Sequence, residues 1–309
     1  MSKLLLSLLI ALLWGCSQTA TQLPTEIGVN NAQPRTGPAI ATYLNTLYAR
    51  QFPNCNKIDS QPAFLCSGVT LRVTARDPAG QYKVWDPSPT SVKSGGVSFS
   101  YLRQDANFGR LAWGYGNGYI VYPFLEQPAG KLQLQVLCSY PMDAWGWHRS
   151  ATAVCVPTPQ YPNVSGHCQD AGVLTAEQFK AAWDYSYENK NLRQCDFDVR
   201  DERNHLAGPA FYQSLRAKTL LGETGFGEQN EVIISTWAAG SANQLPIMAF
   251  FFIAGGTNAG LADAQYNQRD FYNSTTPKIV VPIIRLTPAT SAAAPAAFTY
   301  SAADQAVAQ

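Results

Sequence analysis

The run 247-IMAFFFI-253 sets the fold class of this chain, because it is apolar at every position. A strand that is buried on both faces of a sheet has this composition, whereas a half-exposed strand alternates apolar and polar residues. We therefore predict a central strand at 247–253. The segment 231-EVIISTW-237 predicts a second strand, which follows a turn bounded by Gly225 and Gly227.

Two strands predicted nearer the N-terminus alternate apolar and polar side chains. In 69-VTLRVTA-75 the polar set includes Arg72, and in 97-VSFSYLR-103 it includes Ser98 and Ser100. Because successive side chains of a strand point to opposite faces, each strand presents one apolar and one polar face. Both segments are therefore predicted to be strands with one buried face.

The remaining predicted strands and helices distinguish an α+β fold from a regularly alternating α/β fold. Segment 111-LAWGYGNGYIVYPFL-125 predicts two short strands around a Gly-Asn-Gly turn, and 279-IVVPIIRL-286 predicts an edge strand, since Pro282 has no N–H to donate. Apolar residues at helical spacing predict helices from Pro38 to Tyr48, over 175–187 after a Thr175/Gln178 capping box, over 207–218 and near 260–272. Strands outnumber helices without a regular βαβ order. This predicts an α+β fold with mainly antiparallel or mixed sheets and a few flanking helices.

The N-terminus has the layout of an export signal. Lys3 precedes an apolar run from Leu4 to Leu13, and the run ends near Cys16 in a pattern similar to a bacterial lipobox. Residues 17–37 are polar and lack periodicity, which is typical of a tether. We expect a protein that is secreted or anchored to the outer membrane as a lipoprotein, with membrane contact only through this N-terminal lipid.

The cysteines predict a disulfide framework. Of the seven Cys residues, six remain when Cys16 is set aside, and an even number in an exported chain indicates disulfides. Six cysteines allow fifteen pairings, and loop closure favours neighbours in the chain. The predicted pairs are Cys55–Cys66, Cys138–Cys155 and Cys168–Cys195. A paired Cys cannot act as a nucleophile.

Length and composition limit the domain organisation and the partners. The exported chain of about 290 residues is long enough for one large domain or two small ones. We predict an α+β domain over 38–287, with two subdomains over 38–150 and 165–287 as the alternative, and a loose Ala-rich tail over 288–309. Charged residues make up only 14% of the chain, and no basic run or basic-aromatic stripe indicates nucleic-acid binding.

Several common catalytic motifs are missing from the sequence. There is no HExxH, GxSxG, Walker loop or dinucleotide-binding GxGxxG motif. The three histidines, His148, His167 and His205, have no partner at metal-ligand spacing, and no CxxC pair is present. We expect no metal cofactor. A Ser-His-Asp triad stays open, although nothing in the sequence marks its nucleophile.

The turn before the strand at 231–237 carries the main catalytic candidate. Gln229-Asn230-Glu231 resembles the (Gln/Glu)-x-Glu motif of ADP-ribosyltransferases, in which the second acid contacts the ribose of NAD. Cleavage of the nicotinamide–ribose bond creates an oxocarbenium-like centre, and a fixed carboxylate stabilises that positive charge. Glu231 is the predicted catalytic carboxylate and Gln229 the predicted acceptor-steering residue. The alternative is a solvated turn before a strand.

The same resemblance implies an arginine and a Ser-x-Ser pair on strands. Arg72 is the predicted pyrophosphate ligand, because a guanidinium can donate two parallel hydrogen bonds to phosphate oxygens. Ser98 and Ser100 supply two hydroxyls on one strand face, which can brace Glu231 or the ribose. The alternatives are a cross-strand ion pair for Arg72 and a solvent-exposed strand face for the serines. About 130 residues separate Ser98 from Gln229, which implies an insertion, with the disulfide-bearing segment 138–195 as the candidate.

Three further residues complete the set of candidates. Arg103 is the second choice for a phosphate ligand. Trp85, in the loop 85-WDPSPTSVKSGG-96, is expected either to stack on a planar ring of the cofactor or to cover the core. Asp143 is the reserve carboxylate.

Taken whole, the chain resembles the halovibrin family of exported bacterial proteins. The residues that carry this resemblance are 85-WDPSP-89, 95-GGVSFSYLR-103, 137-LCSYPMDAW-145, 195-CDFDV-199, 226-FGEQNEV-232, 245-LPIMAFFF-252 and 263-DAQYNQRDFY-272. Halovibrins are described as secreted NAD-glycohydrolases or ADP-ribosyltransferases. The resemblance therefore implies NAD as a substrate, with water or a protein of a host or competitor cell as the acceptor.

Two other classes of function remain open at the level of sequence. A non-enzymatic envelope or secreted protein would use its aromatic side chains to bind a glycan or a protein, and Glu231 would then tolerate substitution. A hydrolase with another substrate would keep a pocket but would not consume NAD. Release of nicotinamide from NAD distinguishes these classes.

Overall fold

The structure of the chain is a computed structural model. The residues that it describes are 36–50, 67–74, 80–109, 111, 116–123, 126, 128, 130–143, 154–155, 167–186, 195–199, 207–255 and 260–308. The predicted export signal, most of the tether and the Cys55–Cys66 pair lie outside these residues.

One nine-stranded sheet organises the described chain. Its strands are β1 (Val69–Val73), β2 (Gly96–Leu102), β3 (Asn117–Val121), β4 (Val136–Tyr140), β5 (Phe197–Asp198), β6 (Glu231–Ser235), β7 (Ile247–Ile253), β8 (Ile283–Thr287) and β9 (Ala297–Tyr300). The order across the sheet is β5-β4-β6-β2-β1-β3-β7-β8-β9. Neighbouring strands are antiparallel except for β7 and β8, which are parallel. The predicted central strand is β7, which lies between β3 and β8.

Helices flank the sheet. Within the described residues they are α1 (Gly37–Ala49), α2 (Pro89–Ser94), α3 (Ala176–Ser186), α4 (Ala207–Leu220), α5 (Gly222–Phe226) and α6 (Gly260–Ser274), and short 3-10 helices lie at Cys168–Ala171 and Ala302–Asp304. The sequence shows why α3 starts where it does. The Gln178 N–H donates to Thr175 Oγ1 at 3.2 Å, and Gln178 Oε1 accepts from the Thr175 N–H at 3.0 Å. This arrangement confirms the predicted capping box. The α+β prediction is confirmed.

Each face of the sheet has its own core. On the first, which we call the Glu231 face because it carries Glu231, α1 packs on a cluster that includes Leu71, Leu102 and Phe251. On the second, which we call the Arg72 face, α4 and α6 cover a cluster that includes Phe99 and Tyr119. The prediction that β1 and β2 have only one buried face is therefore wrong, because both faces of these strands are largely buried.

The sheet mixes strands from the two predicted halves of the chain. β2, from the N-terminal half, lies between β1 and β6, and β6 belongs to the C-terminal half. β3 in the same way pairs with β7. The described strands of the two halves therefore share one sheet.

The C-terminal tail is part of the structure, contrary to our expectation of a loose segment. Residues 297–300 form β9 at the edge of the sheet, and the Gln305 side chain exchanges hydrogen bonds with the backbone N–H and C=O of Ile283 at 2.8 and 2.9 Å. The prediction that 279–286 forms an edge strand is wrong for the same reason, because β9 covers β8. Pro282 precedes β8 and contributes only its carbonyl, which accepts from Phe250 N.

Two predictions near the middle of the chain have different outcomes. Of the two short strands predicted over 111–125, one is present as β3, and most of the other falls outside the described residues. The disulfides Cys138–Cys155 and Cys168–Cys195 are both present, as predicted. Among the residues that the structure describes, no helix has the length and apolar character needed to cross a membrane.

Candidate functional site

The side chains of Ser98 and Glu231 meet at the junction of β2 and β6. Ser98 Oγ donates to Glu231 Oε1 at 2.6 Å. Glu231 is 4% exposed, whereas Ser98 is an exposed residue. A buried carboxylate is thus held in a fixed orientation by a hydroxyl that solvent can reach, and a hydrogen bond to a carboxylate is stronger than one between neutral groups.

Strand pairing explains why residues so far apart in sequence meet. β2 and β6 are antiparallel neighbours in which Ser98 pairs with Ile233. Directly paired residues share a face of the sheet, and so does every second residue along each strand. Ser98, Ser100 and Glu231 therefore all lie on the Glu231 face. Three of the predicted site residues come together as the sequence indicated.

The two residues before Glu231 are also fixed to β2. Ser100 Oγ lies 3.5 Å from Gln229 Oε1, which is a long and therefore weak contact. Asn230 is held more firmly. Its side-chain oxygen accepts from Tyr101 N at 2.9 Å, and its side-chain nitrogen donates to Tyr101 O at 2.8 Å. The Asn230 side-chain amide thus bonds the backbone N–H and C=O of Tyr101 in β2, as a neighbouring strand would, directly before β6 begins.

Sequence reasoning missed Asn230 and Lys218. Lys218 is 2% exposed, and its ammonium donates to the backbone carbonyls of Gly225 and Glu228 in the turn before Glu231. Burial lowers the pKa of Lys218 to about 7, and the negative charge of Glu228 acts in the opposite direction. A signal for Lys218 exists in the sequence. It follows Phe211 and Leu215 at a spacing of four and then three residues, which places it on the buried face of α4.

Arg72 lies on the opposite face of the sheet from Glu231. Leu71 pairs with Ser100 and shares its face, so the adjacent Arg72 points the other way and pairs with Tyr119. The Arg72 guanidinium donates from Nη1 to Asp86 O at 3.2 Å and to Tyr119 Oη at 3.4 Å. The expectation that Arg72 and Glu231 belong to one NAD site therefore does not hold.

The surroundings of Arg72 form a second buried polar cluster. Asp86 is 5% exposed, and one of its carboxylate oxygens accepts from Gly240 N at 3.3 Å. Burial raises the pKa of Asp86 to about 6. The Gly240 hydrogen bond and the positive charges of Lys83 and Arg72 oppose that rise, whereas Asp270 adds to it. This cluster holds the loop after β1 against the Arg72 face.

The other two predicted cofactor ligands are used within the fold. Arg103 is 1% exposed, and its Nη2 donates to Asp105 Oδ2 at 2.7 Å while its Nη1 lies 3.4 Å from Ser67 Oγ. Trp85 is 2% exposed and packs edge-on against Phe271 with a centroid distance of 5.7 Å. Of the two roles considered for Trp85, the core role is the one that the structure shows.

The predicted insertion lies beside the candidate site. Its strand β4 pairs with β6, and Tyr140 lies opposite Glu231. The Cys138–Cys155 disulfide packs with Val154 over Ile233 on the Glu231 face. The close approach requires a glycine at position 96, because a Cβ there would lie 2.4 Å from Ile233 Cγ2 and 2.7 Å from Val154 Cγ2. The reserve carboxylate Asp143 follows β4 and is half-buried.

His167 belongs to a separate polar cluster near the second disulfide. Its Nδ1 lies 3.0 Å from Asp196 Oδ1, and its Nε2 lies 3.3 Å from Asp198 Oδ2. Burial raises the pKa of Asp196 to about 6, and the His167 hydrogen bond acts in the opposite direction. His148 and His205 lie outside the described residues. Within the described part of the chain, the one group with metal-compatible spacing is Cys138, Cys155 and Asp196, whose two sulfurs are bonded to each other.

Comparisons of the chain with protein-family models, with curated proteins and with solved structures find no match.

Proposed function

We propose that the protein cleaves the nicotinamide–ribose bond of NAD, with Glu231 as the catalytic carboxylate. The observation that carries this proposal is the 2.6 Å hydrogen bond from Ser98 Oγ to the Glu231 carboxylate at the start of β6. It supports the expected layout of a Ser-x-Ser strand that braces the second acid of a Gln-x-Glu turn. The resemblance of the sequence to the halovibrin family is the second ground for choosing NAD as the substrate.

The geometry suits the chemistry of this reaction. Departure of nicotinamide leaves positive charge on the ribose, and a carboxylate that is already oriented stabilises this charge without reorganising. Ser98 orients the carboxylate and is itself exposed, so it marks the side from which the ribose approaches. In this assignment Ser98 contacts the ribose or positions Glu231, and Ser100 makes only a weak contact with Gln229.

The choice of acceptor depends on the residues before Glu231. Gln229 is the proposed steering residue, because its amide can hydrogen-bond an acceptor that approaches the ribose. With water as the acceptor the protein is a glycohydrolase, and with a protein side chain it is a mono-ADP-ribosyltransferase. Arg72 has no part in the proposed site, because it faces the opposite side of the sheet.

The site of action that we propose is outside the cytoplasm of the producing bacterium. Two disulfides in the described chain are compatible with export, since such bonds persist in oxidising compartments. The signal-like N-terminus and Cys16 extend the proposal to a secreted protein or an outer-membrane lipoprotein. A host or competitor protein is then the proposed acceptor.

Nicotinamide release by purified protein tests the proposal. Wild type should release nicotinamide from NAD, and Glu231→Gln should lower that rate by about 10²–10³-fold, the usual scale for loss of one preorganised electrostatic group. The substitution preserves the shape of the side chain, so thermal melting should show an intact fold. Glu223→Gln is the matched control, because it removes the same charge from an exposed position on α5.

Two outcomes would overturn parts of this assignment. Wild-type turnover with an unchanged Glu231→Gln rate would move the catalytic carboxylate elsewhere, first to Asp143. The absence of nicotinamide release by wild type would reject the NAD reaction and favour a binding protein.

A further inference from the structure

A buried lysine outside the Ser98–Glu231 cluster contacts the turn that precedes Glu231. Lys218 lies in the last turn of α4 and is almost completely buried. Its Nζ lies 4.0 Å from Met142 Sδ and 5.7 Å from the centroid of the Phe108 ring. A buried ammonium is unfavourable unless hydrogen bonds replace its lost hydration.

The hydrogen bonds of Lys218 go to backbone beyond its own helix. Its ammonium donates to Gly225 O and Glu228 O, which lie after the end of α4 at Leu220. A lysine that only complements a helix dipole interacts with the last carbonyls of its own helix. Lys218 instead ties the end of α5 and the following turn to α4.

The backbone between these two carbonyls is fixed as well. Phe226 O accepts from Gly109 N at 3.1 Å, and Glu228 N donates to Gly225 O at 3.2 Å. Gly225 fits this close packing because it has no side chain. A Cβ at that position would lie 2.7 Å from Leu221 Cβ and 2.9 Å from Lys218 O. The turn therefore rests directly on α4.

Two anchors thus enclose the segment that ends at Glu231. Lys218 holds the turn from the side of α4, and the Asn230 amide holds its other end to Tyr101 of β2. Between Glu228 and Glu231 only Gln229 and Asn230 intervene. Glu228, whose carbonyl accepts from Lys218, is therefore only three peptide bonds from Glu231 along the chain.

We propose that Lys218 is a positioning residue, which holds the Gln229-Asn230-Glu231 segment in register with Ser98 through the carbonyls of Gly225 and Glu228. Its effect on turnover rests on the proposed NAD reaction, whereas its hold on the turn does not. Loss of the ammonium leaves two carbonyls without this donor and frees the turn. Misplacement of a catalytic group by even 1 Å lowers turnover strongly, by up to about 10²-fold.

The test replaces Lys218 by Met, which keeps an unbranched apolar stem and removes the ammonium. In Lys218→Met, hydrogen–deuterium exchange of the backbone amides of 226–231 should become about tenfold faster, while exchange in α1 stays unchanged. At a temperature well below the melting point, kcat for nicotinamide release should fall about tenfold and KM for NAD should change by less than about twofold. We expect kcat to change more than KM, because the contacts that bind NAD remain while the Glu231 carboxylate is misplaced.

The matched control is Lys180→Met, which removes a partly exposed lysine that pairs with Asp184 on α3. It should leave both measurements as in wild type. If Lys218→Met does not fold, Lys218→Gln provides the same comparison, because it removes the charge and shortens the side chain.

The two measurements separate this proposal from the proposed function. Wild-type exchange over 226–231 in Lys218→Met would overturn the positioning role, whatever the activity. Fast exchange with an unchanged kcat would show that Lys218 holds the turn without positioning a catalytic group. If wild type releases no nicotinamide, the NAD reaction is rejected, and the exchange data still decide whether Lys218 holds the segment.

Discussion

At β1 and β2, the polar side chains on the two faces of the sheet differ in their exposure and in their hydrogen-bond partners. On the Glu231 face, an exposed serine hydroxyl reaches a buried carboxylate. On the Arg72 face, a buried guanidinium donates to a backbone carbonyl and to a tyrosine hydroxyl beneath a loop. The first cluster has an exposed member, Ser98, whereas Arg72, Asp86 and Tyr119 of the second are all buried. Both clusters contain residue types that occur in catalytic centres. The exposure of Ser98 to solvent is what favours the Ser98–Glu231 cluster as the candidate site.

Replacement of Arg72 is expected to have the largest effect on folding stability. Arg72→Met removes donors from Asp86 O and Tyr119 Oη, and each buried polar group that loses its partner costs about 1–3 kcal/mol. The free energy of unfolding, measured by denaturant titration, should fall by about 2–6 kcal/mol, the sum for the two groups. Nicotinamide release per folded molecule should stay within about twofold of wild type.

The matched variant Arg72→Lys keeps the positive charge and should lose less stability. A rise of at least tenfold in KM for NAD in either variant, with the fold intact, would contradict the separation of the two faces. It would return Arg72 to the cofactor site.

The comparison also shows what the sequence could and could not predict. The alternation in 69–75 and 97–103 correctly predicted two strands with a polar set each, and Ser98, Ser100 and Glu231 do come together. The error concerned Arg72. Whether the polar sets of two strands share a face depends on their register, and here Thr70 pairs with the aromatic Tyr101. A shift of one residue exchanges the faces, and no local pattern records it.

The tail shows a second limit of prediction from sequence. An Ala-rich composition indicated a loose segment, but Gln268 and Gln305 join it to the fold through side-chain amides. Gln268 Oε1 accepts from Ala306 N at 2.7 Å, and Gln305 pairs with the Ile283 backbone. Such pairs depend on three-dimensional proximity. The two disulfides of the described residues, by contrast, followed from the separation of cysteines along the chain, because loop closure is a property of the sequence.

Replacement of Ser98 is expected to have an intermediate effect. Ser98→Ala removes the 2.6 Å hydrogen bond to Glu231, so the carboxylate loses one orienting partner. We expect kcat/KM for nicotinamide release to fall about tenfold, which corresponds to roughly 1.4 kcal/mol. Ser100→Ala is the matched control on the same strand. Its 3.5 Å contact is weak, so its effect should be clearly smaller. Equal losses in the two variants would argue against Ser98 as the orienting hydroxyl.

The smallest expected effect concerns the pH dependence contributed by Asp86 on the Arg72 face. Burial raises its pKa to about 6, above the value of 3.8 for an unperturbed aspartate, so the folded state binds more protons than the unfolded state between these values. The contribution of Asp86 to the free energy of unfolding is fully present below about pH 4 and is lost as the pH rises through about 6. Between pH 5 and 7 this loss is about 1 kcal/mol, from a free-energy change of about 1.4 kcal/mol per pKa unit.

Other groups titrate in the same range, so the informative quantity is the difference between wild type and Asp86→Asn. The asparagine keeps an acceptor for Gly240 N and does not ionise. Denaturant titrations at pH 5, 6 and 7 should therefore show a steeper loss of stability for wild type than for the variant. Nicotinamide release should show the same pH profile in both proteins, because Asp86 lies near Arg72 and away from Glu231. If Asp86→Asn instead altered the pH profile of nicotinamide release and left the stability profile unchanged, the cluster of Arg72 and Asp86 would be the one that acts on the substrate.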